Sequence, residues 1–189
     1  MSLKITGGRK KGKSIDSPSG MKVRPTASKI RQALFNVLGG RVAEARVLDL
    51  FGGTGLMGIE ALSRGAADLT TIEVERKLAT NILNAFEKLA FENARVVQGD
   101  FREKIGELKG NKFDIIFADP PYDSPFAKMV INLVDKYELL SPNGLLIIEH
   151  NIDTRIPMPE KVSIKMTSER NYGQTCLSFF EIDTSKPRK

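Results

Sequence analysis

Residues 47–58 read Val-Leu-Asp-Leu-Phe-Gly-Gly-Thr-Gly-Leu-Met-Gly, a short apolar run that ends in a glycine-rich turn. The run predicts a strand, and the residues after the turn, Leu56–Ser63, predict a helix. Gly53, Gly55 and Gly58 fit the pattern G-x-G-x-x-G, which brings backbone and a helix N-terminus close to a nucleoside ligand. The same pattern occurs in purely structural turns, so the surrounding elements decide its meaning.

Strands and helices alternate on both sides of this turn. The patterns predict five strands, at Val47–Leu50, Asp68–Glu73, Ala94–Gln98, Phe113–Ala118 and Gly144–Glu149. They predict helices at Leu56–Ser63 and Arg102–Leu108 and on the apolar faces Ile30 to Leu38, Leu78 to Leu89 and Val130 to Tyr137. This alternation is typical of an α/β fold in which helices cover both faces of a parallel sheet. The last two predicted strands, Val162–Thr167 and Thr175–Ile182, follow each other without a helix and indicate an antiparallel hairpin.

Acidic residues at the ends of the first strands indicate which nucleoside is bound. Glu73 stands twenty residues after Gly53, a spacing that lets a carboxylate accept hydrogen bonds from ribose hydroxyls. Asp49 would repel a pyrophosphate but attract an amino group, and S-adenosylmethionine carries both an α-amino group and a ribose. After the third strand, Asp100 is a candidate acceptor for the adenine amino group and Phe101 a candidate ring beside the base.

The fourth strand ends in Phe117-Ala118-Asp119-Pro120-Pro121-Tyr122-Asp123-Ser124. Two consecutive prolines provide no N–H donor and hold the chain stiffly extended. The carboxylate of Asp119 and the carbonyl of Pro120 can therefore accept both N–H groups of an exocyclic amine on a nucleobase, and the ring of Tyr122 can stack on the base. Asp119, Pro120, Pro121 and Tyr122 are the predicted catalytic residues.

Composition limits the classes of function. At 189 residues and 41% apolar residues, the chain can form one well-covered domain with a small appendage. Its apolar runs are far shorter than the roughly 20 residues of a membrane span, and its charged N-terminus is not typical of a signal peptide. One cysteine and one histidine cannot form the usual zinc clusters, so we expect a cytoplasmic protein without a metal.

The basic residues are concentrated at the N-terminus. The first 31 residues contain nine lysines and arginines and one acid, and glycines are interspersed among them. We interpret residues 1–25 as a basic arm and residues 26–189 as the enzyme domain. The arm is either solvated or a contact surface for phosphates. The predicted nucleic-acid-binding residues are Arg9, Lys10, Lys11, Lys13, Arg24 and Arg31.

Four segments together resemble one family. They are RPTASKIRQALFNVL (Arg24–Leu38), LDLFGGTGLMGIEALSRGA (Leu48–Ala66), DPPY (Asp119–Tyr122) and YGQTCLSFF (Tyr172–Phe180). In this order they resemble the RsmD family, class I S-adenosylmethionine-dependent methyltransferases that act on guanine N2 of bacterial 16S rRNA. The resemblance covers nearly the whole chain.

The resemblance implies a Rossmann-like fold with a seven-stranded, mostly parallel sheet that ends in the antiparallel hairpin. It also implies rRNA methylation, on a substrate presented within an assembling small ribosomal subunit. No obligate protein partner is evident. The cofactor-binding residues predicted from the motifs are Asp49, Phe51, Gly52, Gly53, Thr54, Gly55, Gly58, Glu73, Asp100 and Phe101.

Other functions remain open from the sequence. The same turn would serve adenine N6 or cytosine N4 of DNA, although the chain has no evident target-recognition domain. A non-catalytic RNA-binding factor with this fold is a further alternative, and the acids Asp49, Glu73 and Asp119 argue against it. An NAD-dependent oxidoreductase is least compatible, because it would need a substrate domain and has no use for the proline turn.

Overall fold

The computed structural model of the chain describes residues 2–16, 25–121 and 125–185. The chain divides into two compact units, residues 1–100 and 101–189. The predicted boundary between residues 25 and 26 does not coincide with this division. Arg24 and Tyr122, two of the predicted site residues, lie outside the described residues.

The described residues of the first unit form a two-stranded hairpin and three parallel strands. Its strands are β1 (Ser2–Lys4), β2 (Ser14–Asp16), β3 (Arg46–Asp49), β4 (Asp68–Glu73) and β5 (Ala94–Gln98), and its helices are α1 (Pro25–Leu38), α2 (Leu56–Ser63) and α3 (Arg76–Lys88). Strand β4 pairs in parallel with both β3 and β5. The predicted face of α3 is buried at Leu78, Ile82 and Phe86 because these residues recur at the helical period.

The second unit contains the apolar strands and the terminal hairpin. Its elements are α4 (Phe101–Lys104), a 3-10 turn at Ile105–Leu108, β6 (Phe113–Ala118), α5 (Phe126–Lys136), β7 (Leu140–Asn151), β8 (Ile164–Tyr172) and β9 (Thr175–Ile182). Strand β7 is parallel to β6 and antiparallel to β9, which pairs antiparallel with β8. The hairpin turns at Gly173, whose φ of 63° suits glycine.

Seven strands form one sheet in the order β5-β4-β3-β6-β7-β9-β8. This order confirms the predicted fold class, a mostly parallel seven-stranded sheet with a C-terminal antiparallel hairpin. None of the helices in the described part of the chain has the length and apolar composition that crossing a bilayer requires.

The N-terminal basic segment is folded over residues 2–16. Strands β1 and β2 form an antiparallel hairpin with buried Leu3, Ile5 and Ile15. The loop between them contacts the end of α2, where the carbonyl of Ser63 accepts the N–H of Arg9 at 2.7 Å. Gly8 has a φ of 73°, and a Cβ there would lie 1.8 Å from the Ser63 oxygen, so both the backbone angle and the close approach require glycine.

A buried carboxylate joins this hairpin to the helices of the first unit. Glu60 on α2 is 0% exposed, and its oxygens accept hydrogen bonds from the backbone N–H and hydroxyl of Thr6. The guanidinium groups of Arg31 and Arg64 also donate to Glu60, at 3.4 and 2.8 Å. Arg31 donates a second bond to the carbonyl of Lys4. Desolvation lowers the pKa of Arg31, and the charge of Glu60 opposes this effect.

Substitution of Glu60 tests whether its buried carboxylate joins the N-terminal hairpin to the helices of the first unit. We expect Glu60→Ala to lower the free energy of unfolding by about 3–5 kcal/mol, because the buried charge of Arg31 would lose its partner. The matched control is Glu87→Ala, which removes an exposed glutamate from α3 and should cost about 0.5 kcal/mol or less. Urea denaturation of both variants measures the difference. Equal midpoints for Glu60→Ala and the wild-type protein would contradict the role assigned to Glu60.

Candidate active site

The glycine turn connects the end of β3 to the start of α2. Asp49, the last residue of β3, is buried, and its Oδ1 accepts the N–H of Phe51 at 3.3 Å. The N–H of Gly52 donates to the carbonyl of Ile72 on β4. Thr54 lies just before the helix, and its hydroxyl accepts the N–H of Leu56 at 3.4 Å. The turn is therefore held by β4 on one side and by the start of its own helix on the other.

Glu73 is bound directly to this turn. Its carboxylate accepts the N–H of Gly53 at 2.6 Å and the N–H of Glu75 at 2.8 Å. The structure thus brings together two features that the sequence predicted for one site. Each carboxylate oxygen has a further lone pair, so Glu73 can accept additional hydrogen bonds from a ligand while it holds the turn.

The glycines of the motif have different physical roles. A Cβ at residue 58 would lie 2.7 Å from Cδ2 of Leu69, and one at residue 55 would lie 2.8 Å from Cγ1 of Ile82. These two glycines allow close packing against β4 and α3. A Cβ at Gly53, in contrast, would meet its nearest atom at 3.9 Å, and the φ of 53° there favours glycine. Gly53 is the open position of the motif.

The end of β5 lies beside Glu73, because the N–H of Gly99 donates to the Glu73 carbonyl at 2.9 Å. Asp100 follows and is half-buried. Phe101, which begins α4 in the second unit, is buried and packs edge-on against Phe126, with ring centroids 5.3 Å apart. A ring used in this way offers little surface to an adenine, so the structure does not support the predicted adenine contact of Phe101.

The proline turn follows β6 directly. Asp119 is exposed, Pro120 is buried and Pro121 is exposed. The carboxylate of Asp119 has no hydrogen-bond or ion-pair partner among the described residues. Protein atoms on its other sides partly desolvate it, and this desolvation raises the pKa of Asp119 to about 6.

Glu149 is a second acid at this place, and the sequence interpretation missed it. Its pKa is raised to about 8, first by desolvation and then by the negative charge of Asp119. A signal was present, because Glu149 follows the apolar run Leu145–Ile148 just as Asp119 follows the run in β6. Asp119 directly follows β6, and Glu149 lies within β7, one residue after the last one that pairs with β6.

The predicted phosphate-binding residues separate into two groups. Arg9, Lys11 and Lys13 are exposed on the loop between β1 and β2, and Arg9 and Lys10 lie over the ring of Phe91 at 5.3 and 5.9 Å. Arg31 is buried and paired with Glu60. The prediction that Arg31 binds nucleic acid is therefore wrong, because its guanidinium is bound within the first unit.

His150 is an interior residue of the second unit. It is buried on β7, with Nε2 2.8 Å from the hydroxyl of Ser178 and Nδ1 2.8 Å from the carbonyl of Asn151. Cys176 is buried on the neighbouring strand β9. Both residues lie in the interior of the sheet and not in the proline turn.

Comparison with known proteins identifies the family. Residues 3–181 match the family described as Conserved hypothetical protein 95. The relative named Ribosomal RNA small subunit methyltransferase D, from Escherichia coli strain K12, is 33% identical over 180 residues, which cover 95% of this chain and 89% of the relative. The chain belongs to the RsmD family. The resemblance found in the sequence is confirmed.

Solved structures agree with this assignment. The Escherichia coli protein yhhF superposes with a TM-score of 0.85 at 30% identity, covering 97% of this chain and 99% of the other. SMU.776, which was crystallised in complex with SAH, superposes with a TM-score of 0.69 at 19% identity, covering 89% of this chain and 53% of the other. The second likeness shows a shared fold.

The packing role of Gly58 leads to a prediction. We expect Gly58→Ala to lower the free energy of unfolding by about 1–3 kcal/mol, because its methyl group would overlap the side chain of Leu69. Gly40→Ala is the control, since a Cβ at residue 40 would meet no atom within 4 Å and its φ is not in the left-handed region. Chemical denaturation should show a change of about 0.5 kcal/mol or less for the control. A fully stable Gly58→Ala protein would show that this glycine is not required for packing.

Proposed function

We propose that this protein transfers a methyl group from S-adenosylmethionine to the exocyclic N2 amine of a guanine in 16S rRNA. The observation that carries the proposal is the turn after β6, where an exposed, unpartnered carboxylate is followed by two rigid prolines. Membership of a family whose Escherichia coli member is named for small-subunit rRNA methylation supports the substrate. The proposal implies a cytoplasmic protein that acts on an assembling small ribosomal subunit.

The residues of the glycine turn fit this cofactor. Asp49 provides a negative charge for its amino group, and the lone pairs left on Glu73 suit ribose hydroxyls. The open side of Gly53 leaves space for a ligand to approach the backbone. Phe51, Gly52, Thr54 and Asp100 complete the proposed set. When bound, the cofactor supplies a methyl carbon activated by a sulfonium.

The proline turn is proposed to hold the amine. The carboxylate of Asp119 and the carbonyl of Pro120 each accept one N–H of the amino group, and this favours a nitrogen lone pair that is free to react. Because Pro120 and Pro121 restrict the backbone, the carbonyl cannot turn away. Tyr122 is proposed to stack on the base after it leaves its helix. Alignment of this kind can contribute about 7–11 kcal/mol to catalysis.

The basic loop between β1 and β2 is proposed to bind rRNA phosphates. Arg9, Lys10, Lys11 and Lys13 lie on a loop that the Ser63 contacts hold in place, so less conformational entropy is lost when RNA binds. No aromatic residue stands among them in the sequence. This surface therefore suits a role in positioning the RNA rather than in reading its bases. Arg24 stays in the proposed set, and Arg31 is removed from it.

Identification of the modified nucleoside tests the proposed function first. The protein is incubated with labelled S-adenosylmethionine and, separately, with naked 16S rRNA, small ribosomal subunits and DNA. N2-methylguanosine from rRNA is the expected product. N6-methyladenine or N4-methylcytosine from DNA would instead establish the alternative amino-methyltransferase. The absence of any labelled product would favour a non-catalytic RNA-binding factor.

Substitution of Asp119 tests the amine-binding turn. We expect Asp119→Ala to reduce methyl transfer by roughly 100-fold or more, while affinity for the cofactor stays within a few-fold, because its proposed partner is the base. Turnover assays and isothermal titration calorimetry measure the two effects separately. Glu92→Ala, which removes an exposed acid from the first unit, is the control and should change neither quantity. Loss of cofactor affinity in Asp119→Ala would contradict this assignment.

Neutralising the basic loop tests the RNA contact. The triple variant Lys10→Gln, Lys11→Gln, Lys13→Gln should bind RNA more weakly, and the slope of log affinity against log salt should fall by roughly one unit per lost phosphate contact. A charge-matched triple at the exposed residues Lys109, Lys128 and Lys161 is the control. Filter binding across a salt series measures both slopes. Equal slopes for the two triples would show that only net charge matters.

A further inference from the structure

Asp119 and Glu149 are brought side by side by the pairing of β6 and β7. The two strands run parallel, and the last paired residues are Ala118 and Ile148. The next residue in each segment is an acid: Asp119 directly follows β6, and Glu149 continues β7. Because neighbouring strands lie about 4.8 Å apart and side chains in register leave the sheet on the same side, this register brings the two carboxyl groups close together, and the charge of Asp119 acts on Glu149.

No described basic side chain neutralises this pair. Neither Asp119 nor Glu149 has a hydrogen-bond or ion-pair partner on any third residue within the described ranges 2–16, 25–121 and 125–185. On the other side of Glu149, β9 presents the apolar Leu177 in register. Arg170 of β8 is opposite Leu177, one strand further away, and is exposed. Of the described charged groups, Asp119 is the one whose charge changes the pKa of Glu149.

We propose that Glu149 is a positioning residue of the amine-binding turn, and that it holds a proton which it donates as a hydrogen bond to Asp119. This inference rests on the proposed function for its catalytic meaning. Two adjacent carboxylates repel each other, and a single proton between them removes this repulsion. The neutral acid then fixes one oxygen of Asp119 and leaves the other oxygen for the amino group.

The pKa directions agree with this distribution of charge. With values of about 6 for Asp119 and about 8 for Glu149, the pair carries one proton at pH 7, on Glu149. Asp119 then remains ionised and can accept an N–H. In the opposite arrangement, with the proton on Asp119, the turn would lose its charged acceptor.

The proton balance of methyl transfer gives the pair a second use. The bond from the guanine nitrogen to the methyl carbon forms as the bond from sulfur to that carbon breaks, and the positive charge moves to the nitrogen. The nitrogen then loses one proton to the carboxylate of Asp119. The two carboxyl groups then hold two protons until one passes to water. The products are a neutral guanine with a methylated N2 and a neutral thioether.

The pH dependence of the reaction distinguishes positioning from simple packing. Methyl transfer to small ribosomal subunits is measured at pH 7 and pH 9 for the wild-type protein, Glu149→Gln and Glu149→Ala. The wild-type rate should fall about tenfold between these values as Glu149 loses its proton. The side chain in Glu149→Gln keeps an N–H donor at both pH values. The ratio of its rate at pH 7 to its rate at pH 9 should therefore stay near one. Alanine has no donor and should be slow at both.

If the rates at pH 7 and pH 9 have the same ratio in Glu149→Gln as in the wild-type protein, the proposal is overturned. A wild-type protein that transfers no methyl group at any pH would reject the proposed function, and with it the role of Glu149 in methyl transfer. A second measurement, which needs no activity, then still decides whether the two carboxyl groups share a proton.

This second measurement is a stability cycle. The pKa of folded Glu149 lies above its unfolded value, so its protonated form stabilises the fold at low pH and this contribution is lost as the pH rises to about 8. Glutamine does not titrate. The Tm of Glu149→Gln minus that of the wild-type protein should therefore increase by roughly 10 °C between pH 5 and pH 8.5.

The cycle is completed in the Asp119→Asn background. There the increase should be smaller, because the charge that raises the pKa of Glu149 is gone. Glu92→Gln, an exposed position, should show no increase. An increase of the same size with and without Asp119 would mean that burial alone acts on Glu149, and the shared proton would be rejected.

Discussion

Within each of the two units, parallel pairing of neighbouring strands places the residues at their carboxyl ends side by side, and in this chain those residues are acids. Asp49 and Glu73 end β3 and β4 in the first unit, and Asp119 and Glu149 come directly after the last paired residues of β6 and β7 in the second. The strands themselves are apolar and buried, so they provide rigid supports of defined register. The acids cannot withdraw into the sheet, and they must be satisfied by the backbone, by a ligand or by a proton.

The two units satisfy their acids differently. Glu73 accepts N–H groups from Gly53 and Glu75, so its charge is stabilised before any ligand binds and the glycine turn takes its shape from it. Asp119 and Glu149 have no such donors among the described residues, and desolvation raises both pKa values. Carboxyl groups that have no donors in the fold and a raised pKa are typical of sites that act on a ligand. This difference supports a cofactor role for the first pair and a substrate role for the second.

The N-terminal segment shows how one buried charge can organise a distant part of the chain. Glu60 receives hydrogen bonds from Thr6, Arg31 and Arg64, and removing it would leave buried donors without a partner. The same contacts hold the hairpin against α2 and present its basic loop on a defined support. A segment rich in lysine and glycine is thereby a folded part of the first unit over residues 2–16, and its exposed charges have fixed positions.

Much of the fold and part of the site could be predicted from the sequence, because they depend on local patterns. The bounds of α2, β4, β5, β6 and β9 agree with the predicted segments, since apolar periodicity and glycine turns act over a few residues. Asp49, Glu73 and Asp119 were identified because each lies within one residue of the end of a predicted strand, and Gly53 because of its motif. Glu149 also follows an apolar run, but only the pairing of β6 with β7 shows that it lies beside Asp119.

What the tertiary structure decided are the contacts between residues far apart in the chain. Sequence patterning could not show that Arg31 is bound to Glu60, that Phe101 packs on Phe126 or that Asp119 and Glu149 are neighbours. The sequence does not distinguish a charged side chain that faces water from one that is bound to a carboxylate or to a ligand. Its role depends on the partner that folding brings to it, and for these residues the partner is 25 or more positions away.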